Sequence, residues 1–598
     1  MPGRGGASKT AREIETGDPL RQSLARCRPF LFGIAVISMA VNLLMLTTSI
    51  YMMQLFDRVL TSGSRETLFF LTVVATGAVV LLAVLETVRG QSLARIASWL
   101  EQALAPATLP RMVDDVLERK ADRVDALLDL SILRSFLGGS AILTLFDAPW
   151  VPLYLAVVYL LHPVLGHVAL AGATALFVLA LLNDRVTRDS LKTSTLLARR
   201  AGRGVESALR NAEAIDAMGL SDHVARRWST DGTKALQLLA RSGTRSALVV
   251  GASKFVRLFV QIVVLAVGAA LALNQELSAG AMIAAAIVMG RALAPLELGI
   301  GSWKQAVQAL EAKRRLERFF RQPPRREQAI PLPEPKGRLA VESVVYGFAA
   351  SRPPILHGVS FCLEPGEALG IIGPSAAGKS TLARLLVGVE RPAAGIVRLD
   401  GADVFGWLRS DLGRHVGYLP QDVELFSGTV AENIARLGKP DPAAVVQAAT
   451  LANCHDMILS LDSGYSTDLG DRALNLSGGQ RQLVALARAL YGCPRFVVLD
   501  EPNANLDAEG DAALNRTIAE LKAAGTTVVV IGHRLSTFAS VDKLVVLVGG
   551  AVQHFGARGE VLEKITRRRF HSIPPIVLPT RPSAGLPGQT KSQAARES

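Results

Sequence analysis

The stretch EALGIIGPSAAGKSTLARLLV, residues 367–387, decides how the second half of the chain folds. Its first six residues read as a strand ending at Ile372, and residues 380–387 read as a helix. Between them run Gly373, Pro374, Ser375, Ala376, Ala377, Gly378, Lys379 and Ser380, a G-x-x-x-x-G-K-S spacing with Thr381 next in the helix. Glycines at the two ends let the backbone curl so that its N–H groups surround phosphate oxygens, and the helix N-terminus adds partial positive charge. A lysine at this position reaches the terminal phosphates of a nucleotide, and the following serine hydroxyl suits a magnesium ion.

Two further patterns lie downstream. FVVLDE (496–501) is an apolar strand that ends in Asp500 and Glu501. An acid at a strand end beside a phosphate loop suits the shell of a cation, and the acid after it can polarise an attacking water. LSGGQ (476–480) precedes the helical run RQLVALARAL. Alone it reads as a helix-capping turn. Ser477, Gly478, Gly479 and Gln480 also form a second nest of backbone N–H groups for an anion. One nucleotide site does not need two nests, whereas a phosphate held between two subunits does.

Upstream the character of the chain changes near residue 322. Apolar runs of near-spanning length occupy 30–55, 68–85, 141–161, 164–182, 255–273 and 279–296, each close to the roughly 20 residues a helix needs to cross a bilayer. Across all 598 residues 49% are hydrophobic and only 20% charged, which excludes intrinsic disorder for the bulk of the chain. Lys and Arg number six in residues 1–29, seven in 89–140 and thirteen in 183–254, against two, none and none in 56–67, 162–163 and 274–280. That asymmetry places both termini in the cytoplasm. The net charge of +13 fits anionic membrane lipids beside the spans, not nucleic acid. Asp147, Arg257, Gln261 and Arg291 fall inside the apolar runs or at their edges. Arg257 reads as a helix-end residue reaching the headgroups, while Asp147 and Arg291 fit either that reading or a functional one. QPPRREQAIPLPEPKG (322–337) reads as a linker, and the Pro/Ser/Gly-rich 571–598 as a disordered tail. The four cysteines form no CxxC pair, which excludes a disulfide scaffold and a cysteine zinc site.

With these motifs in place the sequence resembles the ATP-binding cassette proteins over nearly its whole length. LSGGQ matches their signature motif, Gln421 in YLPQD the glutamine that touches Mg²⁺, His533 in VVVIGHR the switch histidine, and Asp507 in NANLD the aspartate that crosses the dimer interface. Aligning LAVESVVYGF (339–348) puts Phe348 at the adenine-stacking position, and TDLGD (467–471) looks like the exporter-specific loop. The closer resemblance is to type I secretion exporters. It is carried by NLLMLTTSIYMMQLFDRVLTSGSRETL (42–68), DAPWVPLYL (147–155), NAEAIDAMGL (211–220) and DEPNANLDAEG (500–510). The short leader before the first span points to the protease/lipase-exporter branch. Three positions depart from the usual pattern: Leu483 for Arg, Gly532 for Ala or Thr, and Ala377 for Ser.

The resemblance implies an α-helical six-span membrane domain of the type I ABC exporter fold (30–321) behind a cytoplasmic segment (1–29). An α/β P-loop ATPase domain (338–570) then follows the linker. It implies ATP with Mg²⁺ held by Ser380, Gln421 and Asp500, Glu501 as general base, and His533 on the γ-phosphate. It also implies a homodimer in the bacterial inner membrane. Its partners would be a periplasmic membrane-fusion adaptor, an outer-membrane channel of the TolC kind, and a secreted protein with a C-terminal signal. The alternatives on the same scaffold are an exporter of lipids or small molecules, and a membrane-anchored ATPase that transports nothing.

Overall fold

The computed structural model describes residues 18–118, 125–209, 211–323, 325–326, 332–347, 353–470, 476–504, 506 and 508–571. The chain separates into two compact units, 1–325 and 326–598, with the break inside the stretch read as a linker.

In the first unit the described residues hold six helices apolar and long enough to span a bilayer: Pro19–Ser62, Arg65–Leu117, Ser140–Leu161, Pro163–Leu209, Ser221–Leu273 and Ala279–Arg321. Each contains one of the apolar runs. The first begins at Pro19, so residues read as a separate leader are continuous with the first span. The second and fifth have 53 residues each. At 1.5 Å per residue they are about 80 Å long, against a hydrocarbon core of about 30 Å, so they run far beyond it. Small residues let neighbouring spans approach: a Cβ at Gly172 would meet Val260 at 2.9 Å, and one at Gly268 would meet Met282 at 2.7 Å. Between the fourth and fifth spans a short helix, Ala212–Ala217, carries no buried side chain.

Polar groups within this unit are paired across helices. Asp147 Oδ1 accepts from Arg89 Nη1 at 2.7 Å and from Asn42 Nδ2 at 3.0 Å, while Tyr154 Oη donates to Asn42 Oδ1 at 2.9 Å. Spans one, two and three thus meet on one carboxylate. Outside the apolar run, Asp129 is fully buried and takes Arg315 Nε at 2.8 Å together with Arg199. Arg257 forms an ion pair with Glu297 of the sixth span. This corrects the expectation of a helix-end residue reaching the headgroups: the guanidinium turns inward, where a carboxylate offsets its desolvation.

The second unit is built on two sheets. Strands β1 (Leu339–Tyr346), β2 (Leu356–Leu363), β4 (Ala394–Leu399) and β5 (Ala402–Asp403) form an antiparallel sheet in the order β2-β1-β4-β5. Strands β3 (Ala368–Ile372), β6 (Val416–Leu419), β7 (Phe496–Asp500), β8 (Thr527–Ile531), β9 (Lys543–Val548) and β10 (Ala551–Ala557) form the other, in the order β10-β9-β3-β8-β7-β6. All its neighbours are parallel except β10 on β9. β7 and β8 are buried at every residue, which explains their unbroken apolar runs: a parallel strand covered on both faces has no polar side to alternate with. One core packs Leu419, Val484, Val497 and Ile518; a second packs Leu382, Val498, Val529 and Trp407.

Candidate functional site

Four neighbouring parallel strands end on one edge, and each delivers a residue there. β3 runs into Gly373, β6 into Gln421, β7 into Asp500 and Glu501, and β8 into His533. Ligands of open α/β sheets bind beyond the carboxyl ends of the strands, so the topology alone gathers residues that lie 160 positions apart in sequence.

The phosphate loop is shaped by its backbone. Gly378 has φ of +95°, which favours glycine, and Ala376 sits at +64°. A Cβ at Gly373 would lie 2.1 Å from the Leu547 carbonyl oxygen, so no side chain fits there. The helix Lys379–Leu386 starts at once, with Gly378 as its N-cap. Lys379 Nζ bends back over the loop and donates to the Gly373 and Pro374 carbonyls at 2.9 and 3.0 Å. Burial lowers its pKa, opposed by the charges of Glu501 and then Asp500. Ser375, Ala377 and Ser380 complete the loop, and Thr381, buried behind it, accepts from Arg384 at 3.4 Å.

The acids follow. Asp500 is 1% exposed, and burial raises its pKa; a Ser380 hydrogen bond works the other way, and Glu501 adds to the rise. Its Oδ1 is buried without a hydrogen-bond partner. Glu501 stands in a left-handed backbone conformation, φ +50°, pinned by its N–H on the Ile531 carbonyl at 3.0 Å. Its Oε1 lies 2.7 Å from His533 Nε2, and its Oε2 accepts from Gln421 Nε2 at 3.4 Å. Gln421 turns its Oε1 toward Ser380 Oγ, 3.3 Å away. Five residues named from sequence, Ser380, Gln421, Asp500, Glu501 and His533, therefore form one connected cluster beside Lys379.

The other nest stands apart. Ser477 caps the helix Gly478–Leu490: its Oγ accepts from the Gln480 N–H at 3.2 Å, and the Ser477 N–H donates to Gln480 Oε1 at 2.8 Å. Among the described residues no hydrogen bond joins Ser477, Gly478, Gly479 or Gln480 to the phosphate loop. Phe348 and Asp507 lie outside the described residues.

Two residues were not singled out from sequence. Gln482, 3% exposed, donates to the Glu501 carbonyl at 3.0 Å and so ties the helix Gly478–Leu490 to the turn after β7. Asn503 donates to Thr537 Oγ1 at 2.7 Å in a buried bond that links the turn after Glu501 to the segment after His533. Nothing local signals either contact; Asn503 could have been found only by asking why DEPNANLD carries a polar residue where a buried turn needs a donor. Two of the three departures also find physical reasons. Leu483 packs half-buried against the apolar core and lines, with Gly479, Leu506 and Leu514, a cavity of about 300 Å³. At Gly532 a Cβ would lie 3.3 Å from Phe538 Cζ, so glycine relieves crowding before the histidine.

The sequence and the fold have counterparts among known proteins. The profile of the ABC transporter family matches residues 356–504, and that of the ABC transporter transmembrane region matches 31–293. Over 548 residues the chain is 40% identical to the type I secretion system ATP-binding protein PrsD of Rhizobium meliloti, spanning 91% of this chain and 94% of that protein. It is 29% identical to the cyclolysin secretion/processing ATP-binding protein CyaB of Bordetella pertussis, covering 90% of this chain and 77% of the relative. The solved structure of a bacterial Atm1-family ABC exporter with ATP bound superposes with a TM-score of 0.75 at 23% identity, over 92% of this chain and 99% of the other, which establishes the exporter fold. With membrane and nucleotide-binding halves both matched, the chain belongs to the ABC transporter family, among its type I secretion ATP-binding proteins.

Proposed function

We propose that the chain is the ATP-driven exporter of a type I secretion system and moves a protein across the bacterial inner membrane. The observation that carries this is the 40% identity to PrsD over 91% of the chain, since it extends through the membrane spans as well as the ATPase motifs. The nucleotide-binding domain couples ATP hydrolysis to transport.

The cluster supports specific roles. Glu501, with its two oxygens fixed by His533 and Gln421, aligns the attacking water and takes its proton as the water oxygen bonds to the γ-phosphorus and the β–γ bridging bond breaks. His533 holds the γ-phosphate. Lys379 trades its two carbonyl contacts for phosphate oxygens. The unpartnered Asp500 Oδ1, the Ser380 hydroxyl and Gln421 Oε1 form an all-oxygen donor set that fits Mg²⁺. When bound, that ion neutralises charge building on the phosphates. Ser477, Gly478, Gly479 and Gln480 complete the site from a second copy, with Asp507 reaching across and Phe348 stacking on adenine. A homodimer would then hold two nucleotides, and closure on ATP would drive the spans because ATP binds the closed state better. A periplasmic adaptor and an outer-membrane channel of the TolC kind would continue the path, with both termini cytoplasmic.

Co-expression with an adaptor, a channel and candidate cargo tests this. The cargo should appear in the medium with the native chain and be absent with Lys379→Ala. Cargo retained in the cell in every combination, while purified protein moves a lipid probe, would replace protein export with lipid export.

A further inference from the structure

The chain treats the arginines of its membrane half in two ways. Arg89, at the end of an apolar run, is 3% exposed and sits on Asp147. Arg257 sits on Glu297. In each case a carboxylate from another span neutralises the charge, as desolvated ions require. Arg291 differs. It is exposed, and among the described residues it makes no hydrogen bond or ion pair.

Its position makes this informative. The sixth span begins at Ala279, and residues 279 to 291 rise about 18 Å, near the middle of a core about 30 Å thick. That is too deep for a helix-end residue reaching the headgroups. The flanking Met289, Ala292 and Leu293 are buried, whereas Arg291 and Leu298, one heptad apart, share the exposed face. An unpaired guanidinium facing acyl chains at this depth is costly, so the face it occupies is wet. Among the described residues the acids of the spans are already partnered or lie near span ends: Asp57 accepts from Ser278 Oγ and the Gly280 N–H, and Glu86, just past the apolar run of the second span, lies 3.9 Å from Arg89. Asp147 is taken by Arg89 and Asn42, and Glu297 by Arg257; Glu66 and Glu276 lie at the ends of the spans.

We propose that Arg291 is an anion-recognition point on the export path, and that acidic side chains of the passing polypeptide supply its counter-charge. The proposal rests on the protein-export reading above. Of the three arginines compared, Arg89 and Arg257 have an internal acid and Arg291 has none among the described residues.

The test uses the full chain in phosphatidylcholine nanodiscs and two fluorescent twenty-residue probes, an alternating Asp-Gly peptide and its Asn-Gly counterpart, with binding read by anisotropy. The native chain should bind the Asp peptide roughly tenfold more tightly, the size of one charge-assisted hydrogen bond. Arg291→Gln should erase that preference, Arg291→Lys should keep most of it, and basal ATP hydrolysis should stay unchanged in both. In a chain with its four cysteines replaced by serine, Arg291→Cys should react quickly with a charged, membrane-impermeant thiol reagent. Equal binding of both peptides by the native chain overturns the role of Arg291 and leaves protein export standing. Binding of neither overturns both. An unreactive cysteine at 291 places the residue in lipid or a sealed interface and overturns the proposal even where the variants bind less.

Discussion

Asp147 and Asp500 are both sheltered acids at the meeting point of several elements, and they are treated oppositely. Asp147 gathers Arg89 and Asn42 onto a single oxygen. Asp500 keeps a buried oxygen with nothing on it. The first arrangement fastens three helices together. The second leaves a binding valence open at the end of β7, beside Glu501 and Lys379. Here the satisfied carboxylate serves architecture and the open one at the strand end offers a place for a ligand, because an orphaned buried acceptor costs stability that a bound group can return.

The contrast can be broken at several points. The largest effect is expected at Glu501→Gln, which keeps the shape and removes the proton acceptor. ATP hydrolysis should fall by at least two orders of magnitude while nucleotide binding, measured with a fluorescent ATP analogue, persists. Turnover near the native rate would take Glu501 out of its role. Next is Asp147→Leu, which leaves Arg89 only Ser38 Oγ at 3.3 Å and Glu86 at 3.9 Å. The cost should be about 3 kcal/mol, at the lower end because Asp147 is 21% exposed, read as a loss in unfolding free energy in mixed micelles. Adding Arg89→Met should restore part of it. A double variant less stable than the single would show that the pair does more than cancel charge.

Asn503→Ala should cost less, about 1–2 kcal/mol for the stranded Thr537 hydroxyl, with a lower kcat for ATP hydrolysis and little change in KM. Thr537→Ser keeps an acceptor and should behave as native, whereas Thr537→Val should match Asn503→Ala. The smallest effect is at Asp500→Asn. Burial raises the Asp500 pKa, so in the absence of metal its contribution favours folding below the unfolded pKa and is lost as pH rises through the raised value. The asparagine variant, studied without metal, should therefore melt higher than the native chain at neutral pH, the gain shrinking toward acid. No pH dependence in the difference would mean that Asp500 is not the group responsible.

How legible each half was in sequence follows from the range of its signals. The phosphate loop, Asp500, Glu501 and the signature are local patterns, because each occupies one strand end or one helix start. Their convergence needed only the order of parallel strands. The spans were legible as apolar runs of the right length. Their pairing was not: Arg89 and Asp147 are 58 residues apart, Arg257 and Glu297 come from different helices, and neither periodicity nor composition says which charges face each other. Sequence alone therefore makes Arg257 a helix-end residue, where the structure pairs it with Glu297. The Gln482 contact to Glu501 was hidden for the same reason, since it joins a helix to the turn after another strand.

The capping box at Ser477 has one more consequence. The serine oxygen already receives the Gln480 N–H, while its hydroxyl hydrogen stays available to a newcomer beside the open N–H groups of the helix start. The backbone groups left open by the box, the Gly478 and Gly479 N–H groups, are donors. In the role proposed above, those open donors would favour electron-rich oxygens over cations before the second copy has supplied a single contact of its own.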